Sequence, residues 1–313
     1  MNLAHLYYFR KLVEVKNYSR AAEELFIAQP TLSLAVSSLE RELGCILVKK
    51  RRNVLELTEE GEEFYDAVVT ATNALDNVTR AIKEQAAEEY GSIRVGMVYS
   101  IQDKAWSKAI REYHNSTRSR VQISWKQGTT ESLMKDLKNG SLDAIMAGVL
   151  GSDSEIESIP ATTQSAVLLV NEKSKFASRH TVSLDELVGI PIVTYQDKGG
   201  PFAFEIAKLL SGHQHLSVHY DYNDEITLAF LVTADPNTVA IACYSWLIGS
   251  FSDVVPIPIA EAPKDFHQFY ISYRKRNRLP LVLEDFVLFM KQYDFMNVSP
   301  HCEEEILLPS ANK

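Results

Sequence analysis

Cysteine is scarce in this chain, and no apolar stretch reaches membrane length. Cys45, Cys243 and Cys302 are the only cysteines among 313 residues, and their wide, odd-numbered spacing argues against a disulfide framework and for a reducing compartment. The longest run without a charged side chain, Pro236 to Ser252, is interrupted by Asn, Ser and Gly and falls short of the roughly 20 apolar residues of a spanning helix. The first ten residues set His5 and Arg10 around a short apolar patch, which is not a signal-peptide core. A cytoplasmic protein without a membrane partner is therefore expected. Short catalytic signatures are missing too: there is no G-x-S-x-G, phosphate loop, H-E-x-x-H or C-x-x-C, so neither an enzyme nor a cofactor is implied.

What is present is ordinary in bulk and uneven in distribution. A hydrophobic fraction of 46% and a charged fraction of 23% fit a soluble globular protein, and the length suits two domains. The net charge of −9 hides an asymmetry: residues 1–58 carry nine Lys and Arg against six Asp and Glu, a balance of +3 that leaves −12 for the rest. A basic end on an acidic body is the pattern expected when one end meets a polyanion.

Apolar residues at Leu3, Leu6, Phe9, Leu12 and Val13 recur at helix spacing. "NYSRAAEELFI" follows as a second helix, with Ser19 placed to cap it and Glu23 and Glu24 beyond. "IAQP" is a turn with Pro30 suited to open a third helix, whose stripe Leu32, Val36, Leu39 and Leu43 is the buried face and whose end is Gly44. Three helices with a short turn between the last two make a helix-turn-helix. "CILVKKRRNVLELTEEG" then reads as a hairpin: Ile46 and Val48 lead in, Lys49, Lys50, Arg51, Arg52 and Asn53 occupy the tip, and Leu55 and Leu57 return. Such a basic wing beside a recognition-type helix suits phosphate contact.

Thr58 to Tyr90 contains no proline and a single glycine, Gly61. Its apolar residues Phe64, Val68, Ala71, Leu75, Val78 and Ile82 are spaced four, three, four, three and four. This is a heptad seam, read as a long linker helix that pairs with a second subunit, or alternatively packs on its own chain. From Gly91 the texture changes to alternating strand and helix, resuming after a break near Pro160, which argues for a parallel or mostly parallel sheet in two α/β lobes. Crossing segments are expected near 160–165 and 265–270. The expected domains are 1–58, 59–90 and 91–297, the last divided into lobe I (91–162 plus 267–297) and lobe II (163–266), with a tail at 298–313.

Read together, "LYYF", "SRAAEEL", "QPTLSLAVSSLERELG" and "LELTEEG" resemble the LysR-type transcriptional regulators, whose pattern runs close to S-x-x-A-A-x-x-L, Q-P-x-L-S, L-E-x-x-L-G and L-T-x-x-G at these intervals. "NGSLDAIMAG" is similar to the family's G-x-L-D-x-A-I segment. The resemblance spans nearly the whole chain and implies an α/β protein with an N-terminal winged helix-turn-helix, a linker helix and a two-lobed effector domain similar to periplasmic binding proteins. It also implies double-stranded promoter DNA and a small-molecule effector as partners, and assembly to a dimer and tetramer. Lobe geometry would then set the spacing of the wings, and with it DNA bending or contact with RNA polymerase. The chain departs from the family at Leu34, where a polar residue is usual, at Ala35, where glutamine is frequent, and at Leu47-Val48-Lys49-Lys50, where L-F-x-R is normal.

Leu34 lies opposite the buried stripe, among Thr31, Ser37, Ser38 and Arg41. With the third helix in a major groove, Leu34 and Ala35 would meet base edges, and Leu34 would read thymine methyls; alternatively Leu34 covers a neighbouring element or a second subunit. Gln29, Pro30, Thr31, Ser33, Ser37 and Ser38 are candidates for base or phosphate contact, and Arg41 with Lys49, Lys50, Arg51 and Arg52 for the backbone.

In the second part, strand ends and helix N-termini nominate Ser100, Gln127, Gly128, Thr129, Thr130, Gly148, Thr194, Tyr195 and Asn223 as effector contacts, with a carboxylate metabolite suited to the helix N-termini; the rival role of each hydroxyl is helix capping. His213, His215 and His219 could belong to a metal sensor, or be the wet face of a strand whose other face is Leu216, Val218, Tyr220 and Tyr222. Cys45 near Lys49 and Lys50 could be redox-active, or simply fill a small apolar position. A bilobal solute-binding protein or an enzyme is the rival from another class, and it leaves the helix-turn-helix, the wing and the heptad helix without a purpose.

Overall fold

The structure, a computed structural model, describes residues 1–51, 54–87, 91–116, 121–196, 201–276 and 279–295. It divides into two compact units: Met1–Glu89 with Lys138–Ser141, and Tyr90–Leu137 with Leu142–Lys313.

In the first unit, α1 (Leu3–Val15) is capped by Asn2 and α2 (Tyr18–Glu24) by Asn17, whose side chain accepts from the Arg20 N–H. The cap of α2 is thus Asn17 and not the expected Ser19, which lies inside the helix. Lys16, in the left-handed conformation at φ 54, ends α1 so abruptly that the extended Asn17 starts the next helix at once. α3 (Gln29–Leu43) opens on Ala28 with Pro30 in its first turn and closes on Gly44, whose φ of 72 is open to glycine at little cost. Its buried residues are Leu32, Ala35, Val36 and Leu39. Leu43 departs from the expected stripe: it is the last helical residue and is 39% exposed. The hairpin of β1 (Val48–Arg51) and β2 (Val54–Leu57) sets Val48 opposite Leu57 and Arg51 opposite Val54, so three of the expected tip cations lie on a strand.

Two small cores hold this unit together. One gathers Leu12, Ala21, Ala22, Leu32, Val36 and Leu55; the other gathers Phe9, Val13, Leu39, Leu47 and Val68. Val68 belongs to α4 (Glu59–Ala87), a rod of about 43 Å at 1.5 Å per residue. The expected heptad seam divides along this rod. Phe64 and Val68 pack inward on the unit's own core, whereas Leu75, Val78 and Ile82 are 47%, 58% and 62% exposed.

The entry to α4 explains the T-x-x-G text. Thr58 Oγ1 donates to the Ile46 carbonyl at 2.6 Å and accepts from the Gly61 N–H at 3.0 Å, so one hydroxyl ties the wing to the helix start. Gly61 lies against the Leu47 carbonyl, where a Cβ would overlap backbone.

The second unit has two lobes. β3 (Ser92–Met97), α5 (Lys104–Asn115), β4 (Gln122–Gln127), α6 (Thr130–Lys138), β5 (Ala144–Ala147) and β6 (Ile156–Gln164) begin the first. The second comprises β7 (Ala166–Asn171), β8 (Ile192–Tyr195), α7 (Pro201–Leu209), β9 (Val218–Tyr222), α8 (Glu225–Ala234), β10 (Val239–Cys243) and β11 (Val254–Pro258). β12 (His267–Arg274) and α9 (Leu281–Gln292) return to the first. Each lobe has a five-stranded sheet, ordered β4-β3-β5-β12-β6 and β11-β7-β10-β8-β9, with its own apolar core.

The sheets are mixed, which corrects the expectation of a mostly parallel arrangement. β3 pairs in parallel with β4 and β5, and β8 with β9 and β10, but β12 and β7 run antiparallel to both of their neighbours. The expected break near Pro160 is no break. β6 runs through it as an edge strand, with a register shift opposite Phe269 and Tyr270; an edge position tolerates a residue that lacks an N–H. β11 was hidden for the same reason: it contains Pro256 and Pro258 and also lies at an edge.

Replacing Gly61 by Ala sets two effects against each other. Helix propensity favours Ala by about 1 kcal/mol, but overlap with a carbonyl cannot be relieved by rotating a side chain. Gly61→Ala is therefore expected to lose about 1–3 kcal/mol of stability in the first unit, read from its denaturant midpoint.

Candidate nucleic-acid interface and effector cleft

α3 presents to solvent the side opposite its core face. Gln29, Pro30, Thr31, Leu34, Ser37 and Arg41 are exposed, and Ser33 and Ser38 partly so. Leu34 stands out as an aliphatic side chain 72% exposed in the middle of a polar stripe, covered by none of the described residues. Ala35 does the opposite: at 3% exposure it is part of the core, which corrects its expected place at base edges. Its Cβ points with Leu32 and Val36, about 100° per residue from Leu34.

The wing is held to this helix by one carboxylate that accepts from its backbone amides. Glu40 Oε1 accepts from the Leu47 N–H at 2.9 Å and the Val48 N–H at 3.3 Å, which fixes β1 relative to the C-terminal half of α3. Glu40 is a positioning residue that spacing alone does not reveal. Gln29 and Ser33 from α3 and Lys49 from β1 share a concavity of about 260 Å³ with Tyr18, Val48 and Leu55. Lys49 is exposed. The side chains of Lys50 and Arg51, and Arg52 and Asn53 entirely, lie outside the described residues.

The nine expected effector residues are used unevenly. Thr129 Oγ1 accepts from the Ser132 N–H, an ordinary capping role. Gln127 and Thr129 are exposed, Thr130 and Gly148 buried, and Gly128 packs against Ser132 and Leu133. Thr194 is fully buried and donates to the Ile241 carbonyl at 2.8 Å, so its hydroxyl is occupied within the sheet. Asn223 is exposed, and the cap of α8 is its neighbour Asp224, which accepts from the Thr227 N–H at 2.7 Å. With Asp224 and Glu225 at its start, α8 offers an anion no welcome.

Ser100 and Tyr195, by contrast, belong to a cluster at the C-terminal ends of β8 and β10, where the strands that cross between lobes begin. Tyr99 donates to Glu225 Oε2 at 3.1 Å, and Gln164 Nε2 donates to the Ser100 carbonyl at 3.2 Å. Gln164 is the register partner of His267, and His267 Nδ1 lies 3.2 Å from Glu205 Oε1. Phe202 bridges the two halves, stacked on Tyr195 at 4.5 Å and 4.4 Å from the His267 ring. The Tyr195 hydroxyl accepts from the Cys243 N–H at 3.1 Å.

Burial governs the electrostatics here. It pushes the Glu225 carboxyl above its ordinary range, its own amide, Ser245 and Tyr99 pull it part of the way back, and Asp224 adds to the rise. The same burial, reinforced by Glu225, raises the Tyr99 and Tyr195 hydroxyls and the Cys243 thiol, the last also through Glu205. Tyr99, Gln164, Phe202, Glu205, Glu225, Ser245 and His267 were not nominated from sequence; the only hint was acidic text at the start of α8.

The remaining sensor candidates find ordinary places. Val218, Tyr220 and Tyr222 pack on the core while His219 and Asp221 face outward, and His213 lies 3.5 Å from Asp185. Among the described residues no group of three or more His, Cys, Asp or Glu is placed to hold a metal ion. Cys45 packs at the edge of the second small core, and Cys302 lies outside the described residues. No helix among the described residues is long and apolar enough to cross a membrane.

Because Glu225 is held above its unfolded acidity, the folded state binds more protons there, and this contribution to stability is present below about pH 4 and lost as pH rises through the folded value. Glu225→Gln is therefore expected to melt higher than the parent at pH 7, the difference closing toward pH 4, as read by scanning calorimetry.

Comparison with known proteins agrees with this geometry. Residues 3–62 match the model of a bacterial regulatory helix-turn-helix protein of the lysR family, and residues 86–294 that of a LysR substrate binding domain. The HTH-type transcriptional regulator CatR of Pseudomonas putida is 32% identical over 222 residues, 70% of this chain and 74% of that protein. BenM of Acinetobacter baylyi, another HTH-type transcriptional regulator, is 25% identical over 277 residues, 88% of this chain and 90% of that one. The crystal structure of CbnR, a LysR family transcriptional regulator, covers 94% of this chain and 99% of its own at a TM-score of 0.70 and 19% identity. A basic winged helix-turn-helix, a long helix and a two-lobed second unit, each where the family has it, make this chain a member of the LysR family: a DNA-binding transcriptional regulator modulated by a small-molecule effector.

Proposed function

We propose that α3 enters the major groove of promoter DNA and that the wing lies along the adjoining backbone. Gln29, Pro30, Thr31, Ser33, Leu34, Ser37 and Ser38 then face base edges and nearby phosphates, while Arg41, Lys49, Lys50, Arg51 and Arg52 meet phosphates. The observation that carries this is Leu34, left 72% exposed on a helix whose other face is closed. In this reading residues 1–58 bind DNA, 59–90 pair subunits and 91–297 sense the effector between lobes, with Ser100 and Tyr195 at the cleft. The protein works in the cytoplasm, as a dimer of dimers, without catalysis.

Leu34 can hide its surface against the C5-methyl of thymine. One methyl removed from water is worth about 0.8 kcal/mol, roughly a fourfold change in affinity. Replacing thymine by uracil within the bound site is expected to weaken the parent by about that factor and Leu34→Ala much less, in titrations by fluorescence anisotropy. An equal loss in both proteins would remove Leu34 as a reader. Lys49→Ala is expected to lower the slope of log affinity against log salt by about 0.9.

The exposed half of the α4 stripe is covered in the same reading by α4 of a second copy. Val78→Asp, which sets a charge at its centre, is expected to shift the assembly toward monomer in sedimentation velocity while leaving the helix content of the chain unchanged.

A further inference from the structure

Among the described residues, the cluster between the lobes holds more unsatisfied acceptors than donors to meet them. Glu225 is 1% exposed, and its Oε1 makes no regular hydrogen bond although the Ser245 hydroxyl lies beside the carboxyl, itself without a regular partner; Glu205 Oε2, Gln164 Oε1 and His267 Nε2 are buried and unpartnered. When His267 donates its Nδ1 proton to Glu205, Nε2 of the neutral ring is an acceptor as well. Of these five open atoms, four accept and the fifth is a hydroxyl that can do either. Two carboxylates on one site cost free energy unless something opposes them. Among the described residues no lysine or arginine is bonded to either one.

A carboxylate effector, expected from the helix N-termini, would add a third negative charge to this place, beside an α8 start that already carries Asp224 and Glu225. A group rich in donors would do the reverse. We infer that the effector presents an ammonium or comparable cationic donor group to Glu225 and Glu205, with Gln164, Ser245 and His267 taking its remaining hydrogens. The inference rests on the reading of this cluster as the effector site. Binding would draw together groups from both lobes, since Gln164 and His267 come from the first and Glu205, Glu225 and Ser245 from the second.

Thermal unfolding of the full-length protein tests this at neutral pH and fixed ionic strength, with 10 mM 2-aminoethanol or 1,4-diaminobutane as hydrochlorides against sodium propanoate or butanedioate. The amines are expected to raise the melting temperature of the parent by ~2 °C or more and the carboxylates to leave it unchanged. Glu225→Gln and Glu205→Gln, both isosteric, are expected to abolish the amine response while remaining folded. Stabilisation by the carboxylates and not the amines would overturn the cationic class and leave the effector-domain reading standing. An amine response of equal size in both variants would place the binding elsewhere and overturn the site. Silence with all four compounds would overturn both the class and the site.

Discussion

Burial of one face of α3 is the constraint from which the first unit follows. Leu32, Ala35, Val36 and Leu39 must close against α1, α2 and the wing, each leucine or valine contributing about 1.5–3 kcal/mol by leaving water. The helix cannot rotate about its axis without exposing that face, so the opposite stripe is presented at a fixed angle. Two further ties, Glu40 to the Leu47 and Val48 amides and Thr58 to the Ile46 carbonyl, lock the wing and the start of α4 to the same frame. They run to backbone atoms, so their geometry does not depend on which side chains the wing carries. Departures from the family pattern at Leu34 and Lys49 therefore alter the exposed surface without altering how it is held.

How far the sequence speaks depends on how local the signal is. Helices with a 3.6-residue apolar period were legible nearly to their ends, and Gly44 and the T-x-x-G text marked real backbone events. The structure departs from the local pattern where a neighbour decides: Asn17 caps α2 because α1 ends in a left-handed residue, and Ala35 is buried in place of Leu43 because the angular width of the buried face is set by its partners. β6 and β11 were concealed by proline, which is forbidden in a central strand and harmless at a margin. Leu34 is an anomaly in the sequence itself, an aliphatic residue on the polar side of a helical repeat. The interlobe cluster leaves no such mark, since Tyr99, Gln164, Glu205, Glu225, Ser245 and His267 are far apart in the chain and meet only through sheet topology.

The two units meet different demands. The first is built from satisfied groups: Arg10 bonds Thr72 and Asn73, and each helix start finds a cap or a proline. The second keeps uncompensated acceptors where its lobes join. A protein that only had to fold would replace Glu225 with something neutral. Retaining it leaves the lobes without a fully satisfied resting arrangement, and a small molecule that completes the set can then shift the balance between lobe geometries by as much as it stabilises one over the other.

The proline-bearing margins carry a consequence for crowded solutions. An edge strand with free amides invites a further strand, and that is how soluble sheets grow into fibrils. Pro160 on one sheet and Pro256 and Pro258 on the other interrupt the row of donors such growth requires. Strand-by-strand polymerisation is thereby discouraged along these two borders, and each sheet keeps only its other margin, β4 or β9, without such a block.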